Sequence, residues 1–412
     1  LPSRLLTIEP EQVLLVKGPA TIRAKEARLS SLGVILPIDQ PVLVRSNRTM
    51  PFEADQRCEI HVMVGSRGNY RVQSGRVGVR IWERAADRIL QTKLQNRKVM
   101  IIGETDSGKS TLATYLLNRA ISIGLKVGLI DGDVGQSDIC PPGSVGSALV
   151  DEKVFDLRDV KADYVAFVGA TSPGGVSWLV VNQIADVMRM IEERSPDLYL
   201  INTDGYITEE GVDYKVKMIE QLAPDLVLCI SSEDSLYSEV ERKAGNYNVA
   251  RLDPPEKIPK SQTDRLNRRL SQYRRFLQNG IKRIYDLRLL KLRFLNDTYF
   301  YDASSHASVP WRAALYAGKT SSGNELLISA ESLAGIQFFK DTVVFSRGSF
   351  AGMFVGLGLG SSLSGFGLVQ RIGYNFGVSI LSSVPLFDTV FPSSIRLSHE
   401  VTRESSIPII LS

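Results

Sequence analysis

Cysteine and histidine are scarce: the 412 residues hold 3 of each. Cys58, Cys140 and Cys229 lie far apart with no CxxC spacing, which excludes a zinc ribbon or a disulfide framework and makes a reducing compartment the simpler setting. His61, His306 and His399 are equally scattered, so a histidine-based metal centre or triad has little to build on. No apolar run reaches the ~18–20 residues of a membrane helix, and the N-terminus lacks the charged-then-apolar layout of a signal peptide. No membrane partner is expected, and the expected location is cytoplasmic, or nuclear in a eukaryote. Charge is not one-sided either: 49 Lys+Arg oppose 45 Asp+Glu, a net charge of +4. With 43% hydrophobic and 23% charged residues, the composition is globular and predicts roughly two to four domains.

Distribution carries more than totals. From Arg265 to Arg293 there are ten basic residues and one acid, Asp286; a solvated helix face is the plain reading and a polyanionic partner the sharper one. Residues 1–95 alternate short apolar stretches with turn residues (Val13–Val16, Ile60–Val64, Val77–Ile81), which predicts an N-terminal β domain. From Lys98 the period changes. Strand-like runs at Val99–Ile102, Val127–Ile130, Tyr164–Val168, Leu198–Ile201 and Leu226–Ile230 alternate with helical runs at Ser110–Ile123, Val176–Glu192 and Val212–Leu222. This predicts an α/β fold, a parallel sheet covered on both faces, over residues 96–285. A basic helix is expected at about 262–279. Residues 286–412 return to a β pattern, with two strands around a tight loop in the Gly/Ser-rich stretch 356–367. The apolar spacing of Ile284, Leu287, Leu290 and Phe294 reads as a linker packed on the core, or as backbone contact with RNA.

The strongest local signal is Gly103-Glu104-Thr105-Asp106-Ser107-Gly108-Lys109-Ser110-Thr111. It matches GxxxxGK[ST] and lies between a predicted strand and a predicted helix. Glycines let backbone N–H groups curl around phosphate oxygens, and the helix N-terminus adds its positive dipole end. Lys109 is then expected at the β/γ-phosphates and the Ser110 hydroxyl on Mg²⁺. The fold class is therefore a P-loop NTPase core flanked by β-rich domains.

Strand 127–130 runs into Asp131-Gly132-Asp133-Val134-Gly135-Gln136. Carboxylates at the end of a strand beside the P-loop strand point towards the phosphates. Asp131 is expected to hold the metal through water. Asp133 is expected to accept a proton from an attacking hydroxyl, with Gln136 orienting the acceptor. A plain Asp/Gly turn is the alternative.

These two motifs in this order resemble the polynucleotide 5′-hydroxyl kinase family, which includes RNA kinases of archaea and the kinase subunit of the mRNA 3′-end cleavage and tRNA-splicing machinery. Gly169-Ala170-Thr171-Ser172-Pro173-Gly174 resembles that family's Thr-x-Pro-Gly clasp, and Asn202-Thr203-Asp204-Gly205-Tyr206 its Asn-Thr-x-Gly-Trp segment. Arg265, Arg269 and Arg274 fall where the family has an arginine-rich lid helix, here ending near Phe276. The chain departs from the pattern at Tyr206 (for Trp), Val176 (for Asn), and Leu266 and Gln272 (for lid arginines). Leu32 stands near the place of an adenine-stacking aromatic.

The resemblance implies transfer of the ATP γ-phosphoryl group to the 5′-hydroxyl of RNA, with DNA as a second acceptor, using ATP and Mg²⁺, among RNA-processing protein partners. Lys109, Asp133, Arg269 and Arg274 would be catalytic; Gln136, Thr171, Tyr206 and Arg265 would hold the RNA. Each lid arginine could equally be a solvent-facing charge, Thr171 a strand-end turn residue and Tyr206 partly buried core, while Trp178 reads as core on an amphipathic helix. A non-catalytic ATP-bound scaffold is the rival reading, disfavoured because Lys109, Ser110, Asp133 and lid arginines are all present. A GTPase is disfavoured because no Asn-Lys-x-Asp motif occurs.

Overall fold

The computed structural model describes residues 3–406 apart from 26–28, 47, 76–77, 92–95, 256–259, 287–288, 294–298, 303–313, 320–324, 330–342, 347–349 and 374–376; for the strands between 299 and 346 only the backbone course is described. Leu287, Phe294 and His306 lie outside the described residues.

The site is carried by a seven-stranded sheet. Its strands are β1 (Arg97–Gly103), β2 (Val127–Gly132), β3 (Ser144–Val150), β4 (Tyr164–Phe167), β5 (Leu198–Thr203), β6 (Leu226–Ile230) and β7 (Val249–Leu252), in the order β4-β3-β2-β5-β1-β6-β7. Strands β2, β5, β1, β6 and β7 are parallel. β3 and β4 are antiparallel additions at one edge. The alternation of strand and helix predicts parallel strands throughout; it fails here because the chain leaves β2 through the loop 133–143 instead of a crossover helix, and returns in the opposite direction. The central parallel strands are buried, β2, β5 and β6 wholly so, while the edge strand β7 is partly exposed.

Helices α1 (Lys109–Ser122), α2 (Ser177–Glu192), α3 (Glu209–Leu222), α4 (Asp234–Ala244) and α5 (Gln262–Leu277) complete this region. α1 buries Leu112, Ala113, Leu116 and Leu117 against Val99, Ile101 and Leu129; each buried Leu is worth about 1.5–3 kcal/mol. It stops at Gly124, which takes φ 84°, while Leu125 N–H donates to the Ala120 carbonyl over 3.1 Å; this is the helix-ending geometry a glycine permits. α2 covers the opposite face, packing Val180, Ile184 and Ile191 on Ile130 and Ile201. α5 starts with a capping box: Ser261 Oγ accepts from Asp264 N–H, and Asp264 accepts from Ser261 N–H. This reciprocal bonding satisfies two N–H groups that a helix start otherwise leaves unpaired.

The N-terminal residues form a four-stranded and a five-stranded sheet, stacked over Ile8, Leu14, Val16, Ile22, Phe52 and Ile60. The end of the predicted 1–95 unit departs from this. A helix at Glu83–Gln91, with Trp82, packs into the core around α1. At the other boundary, Ile281–Asp286 pairs with Gly377–Ser382 and so belongs to the C-terminal six-stranded sheet. That corrects both the 285/286 division and the linker reading, since Ile284 is exposed on an edge strand while Leu290 is buried. Within the same sheet, Phe354–Leu359 and Ser362–Ile372 form the hairpin expected in the glycine-rich stretch. A small hairpin, Ile395–Leu397 with Glu404–Ser406, lies against α5.

Candidate active site

The phosphate loop folds as its sequence requires. Gly108, at the helix N-cap, takes φ 100°, and a side chain at Gly103 would strike the Ile230 carbonyl at 2.4 Å. Close strand packing thus demands one glycine and a left-handed turn the other. The Lys109 ammonium is buried and donates to the carbonyls of Gly103 (2.9 Å) and Glu104 (2.6 Å). Burial lowers its pKa to about 8, opposed by the charge of Asp133. Thr105, Asp106, Gly108, Lys109, Ser110 and Thr111 line a cleft of about 400 Å³, while Gly103, Glu104 and Ser107 form the loop behind it.

Across the cleft stand the carboxylates. Asp131 is fully buried; its Oδ2 accepts from Ser137 Oγ (2.9 Å) and Asp138 N–H (2.7 Å), and its Oδ1 from Asn202 Nδ2 (3.2 Å). Burial, with help from Asp138, raises its pKa to about 6. Asp133 lines the cleft, and its Oδ1 accepts from the N–H groups of Gly135 (3.1 Å) and Gln136 (2.9 Å). Burial and Asp204 raise its pKa, and Lys109 opposes them. Asp204 is buried between the Lys215 ammonium (2.9 Å) and the Tyr214 hydroxyl (2.8 Å), and also accepts from Tyr206 N–H (2.8 Å). The next residue, Gly205, abuts Thr105 so closely that a side chain there would meet it at 2.4 Å.

The third wall is α5 and the residue before its cap. Arg265 donates to Asp106 at 2.7 Å, and Lys260 lies 3.5 Å from the same carboxylate. Burial would raise the Asp106 pKa, but the Arg265 bond and Lys260 outweigh it and leave it lowered. Burial also pushes the Lys260 ammonium down to about 8. Arg269 lines the cleft and donates to Glu404 at 2.7 Å.

Most of the residues singled out in the sequence converge on this cleft: Lys109, Ser110, Asp133, Gln136, Thr171, Tyr206, Arg265 and Arg269 line it together. Arg274 does not. It is exposed on the far side of α5 and donates to the Val401 carbonyl at 2.8 Å, because five residues along a helix turn it off the face that carries Arg269. Asp131 sits behind the cleft rather than in its lining. Leu32 is core beside α1, not a stacking surface, and Trp178 is half exposed instead of core. Thr171 meets the acidic loop: a side chain at Gly135 would lie 2.8 Å from its carbonyl.

Sequence reasoning missed Arg48, Arg268 and Lys260, which also line the cleft. Arg48 comes from the N-terminal sheets, is buried, and has Nε and Nη2 without hydrogen-bond partners. Nothing in its local sequence marks it. Lys260 and Arg268 lie in or beside the basic run and were discoverable from it.

The donor set fits a nucleotide with a divalent cation. Ser110 Oγ lies 3.4 Å from Asn202 Nδ2, which also holds Asp131, and the buried Asn202 Oδ1 has no partner. The Asn202 amide nitrogen thus ties the Asp131 carboxylate to the Ser110 hydroxyl at the N-terminus of α1, and that hydroxyl, which lines the cleft, is a hard oxygen ligand of the kind Mg²⁺ takes. Among the described residues there is no group of three or more His, Cys, Asp or Glu that could hold a metal ion.

A phosphate-cradling loop before a helix, on a largely parallel sheet, with carboxylates after the adjacent strand β5 and after β2 beyond it, defines a P-loop nucleotide-binding domain; the sequence placed the Asp131 strand directly beside the P-loop strand, and β5 stands between them. Comparison with known proteins narrows the class. The family model of the mRNA cleavage and polyadenylation factor CLP1 P-loop matches residues 103–279, and over that segment the resemblance to polynucleotide 5′-hydroxyl kinases holds. A polyribonucleotide 5′-hydroxyl-kinase of Pyrococcus furiosus is 40% identical over 156 residues, 37% of this chain and 43% of its own length. One from Pyrococcus horikoshii is 34% identical over 199 residues, 48% and 54% respectively. The chain thus matches about half the length of these relatives. The Clp1p chain of a Clp1p–Pcf11p complex shares the fold across 96% of this chain and 98% of its own, with a TM-score of 0.72 at 13% identity. Among the described residues no helix is long and apolar enough to cross a membrane.

Proposed function

We propose that this chain is an ATP-dependent polynucleotide 5′-hydroxyl kinase acting on RNA. The observation that carries the reading is a single cleft with Lys109 and Ser110 on one wall and Asp133 with Gln136 on the other. A phosphate donor and a hydroxyl acceptor can therefore meet between them. The relatives whose printed names describe polyribonucleotide 5′-hydroxyl kinases support the choice of acceptor.

In the proposed reaction the 5′-hydroxyl oxygen bonds to the γ-phosphorus of ATP, the bond from that phosphorus to the β,γ-bridging oxygen breaks, and ADP leaves. Asp133 takes the hydroxyl proton. Its Oδ1 is engaged by two backbone N–H groups, which leaves Oδ2 for the acceptor. Lys109 moves from the Gly103 and Glu104 carbonyls onto the phosphates. Ser110, with Asp131 and Asn202 behind it, would hold Mg²⁺, which when bound would neutralise phosphate charge. Arg265 and Arg269 sit where charge spreads over the transferred group, and such preorganised donors are the main source of rate in phosphoryl transfer. Tyr206 offers an aromatic face to the terminal base. The three segments 1–95, 96–280 and 281–412 serve in this reading as base-side wall, kinase core and support for α5.

The test is incubation with γ-labelled ATP, Mg²⁺ and matched 5′-hydroxyl ribo- and deoxyribo-oligonucleotides. The ribo-oligonucleotide should be labelled. Nucleotide binding without any labelling would instead mark a scaffold that uses ATP structurally.

A further inference from the structure

α5 is expected from the sequence to be a lid that closes over the nucleotide. Its contacts are those of a fixed wall. Arg268, Leu270, Gln272, Tyr273 and Leu277 are buried on one face. Two of these are polar and reach the same target, the loop that follows Asp133. Arg268 Nη2 donates to Asp138 Oδ1 at 2.6 Å and to the Gln136 carbonyl at 3.1 Å. Gln272 Nε2 donates to the carbonyls of Ser137 and Asp138, each at 3.0 Å. From the other side, Asp131 holds the same loop through Ser137 and Asp138. The loop is therefore clamped between β2 and α5.

We propose that Arg268 is a positioning residue for the acceptor site, acting through Gln136 on Asp133. The chain of contacts is short. Arg268 fixes the Gln136 carbonyl, and the N–H of Gln136 donates to Asp133 Oδ1 at 2.9 Å. Asp133 is thus aimed by a guanidinium that need not touch either substrate. The pair it forms with Asp138 is deeply buried, with side-chain exposures of 8% and 1%. An ion pair removed this far from water is costly to form and is a poor source of stability, so its place beside the acceptor loop points to orientation as its use. Both bonds leave Nη2, whose N–H directions the planar guanidinium fixes; lysine keeps the charge, but its donors rotate on a flexible stem and do not hold that geometry.

This inference rests on the kinase reading, and two kinds of readout keep them apart. The experiment uses the full chain and compares Arg268→Met, Arg268→Lys and Asp138→Asn with the parent. Steady-state labelling of a 5′-hydroxyl oligoribonucleotide gives kcat and the KM for ATP; hydrogen exchange of the amides of residues 135–139 reports the loop directly. Arg268→Met should lower kcat about 10–100-fold, the loss expected when a reacting group is displaced by about 1 Å. The KM for ATP should stay within about twofold, and the amides should exchange at least about tenfold faster. Arg268→Lys and Asp138→Asn should shift both readouts the same way by less, and they carry the test if the Met variant does not fold. Parent-like kcat and parent-like exchange in these variants overturn the proposal. So does a fall in kcat matched by a rise in the KM for ATP with exchange unchanged, since that marks a nucleotide contact. If the parent labels nothing, the kinase reading fails by itself; faster exchange with unaltered nucleotide affinity then still supports the clamp, and unaltered exchange still removes it.

Discussion

The two walls of the cleft are built in opposite ways. On the phosphate side, Lys109 bonds carbonyls five and six residues away, and two glycines set the curl; nine consecutive residues are enough. On the acceptor side, Asp133 is shaped by its own turn, but that turn is held by Arg268 and Gln272 from about 130 residues further along the chain. A short-range device tolerates rearrangement elsewhere. A long-range one depends on α5 staying docked, and α5 is in turn moored to the P-loop through Asp106 and to the C-terminal hairpin through Glu404 and Val401.

The largest effects should come from the groups at the reacting atoms. Lys109→Ala is expected to lower labelling by about 10³-fold, with nucleotide affinity measured calorimetrically falling as well. Asp133→Ala should cost about 10²–10⁴-fold in kcat while nucleotide affinity holds. Loss of ATP binding in the Asp133 variant would erase the division of labour between the walls.

Next come the arginines of α5. Arg269→Ala should slow transfer about tenfold, as removal of one preorganised donor does at the weaker end of its range. Arg274→Ala should leave transfer unchanged and lower stability by about 1 kcal/mol, the worth of one hydrogen bond, read from urea midpoints. A catalytic defect in the Arg274 variant without loss of stability would mean that α5 swings during turnover.

A pH series sharpens the phosphate side. The Lys109 pKa of about 8 lies below that of a free lysine because burial disfavours its charge. The protein is thus charged there below about pH 8, and raising the pH through that value should weaken nucleotide binding. Lys109→Arg, which stays charged, should flatten the dependence; an equal decline in both would assign it elsewhere. The smallest effect is expected at Trp178. It is half exposed and outside the cleft lining, so Trp178→Ala should change kcat and oligonucleotide KM by less than about twofold, in keeping with surface substitutions away from special contacts.

How far the sequence could be read follows the same division. The P-loop, its strand and helix, and the Asp133–Gln136 turn were legible because each is a local rule: glycine geometry, hydrophobic period, helix caps. β3 was not, and β4, though marked as a strand at Tyr164–Val168, gave no sign of its antiparallel pairing, since a reversal without a helix leaves no periodic trace. Arg274 was assigned from the resemblance to a lid helix, which does not say which face of α5 meets the cleft; Leu270, Tyr273 and Leu277 decide that by packing into the core beside Phe354 and Phe366. Arg48 was invisible because its importance lies entirely in where the N-terminal sheets dock. Trp178 was misread because an aromatic on an amphipathic helix is usually inward, and here it faces the solvent groove between α2 and α3.

The most direct test of the central claim compares parent and Asp133→Asn protein, each with γ-labelled ATP, Mg²⁺ and a 5′-hydroxyl oligoribonucleotide, after equal nucleotide affinity has been established. The parent should transfer label to the RNA 5′ end, and the variant should bind ATP equally yet transfer at least about 100-fold more slowly. Equal transfer by the two proteins, or none by the parent despite tight ATP binding, would contradict an acceptor site built around Asp133.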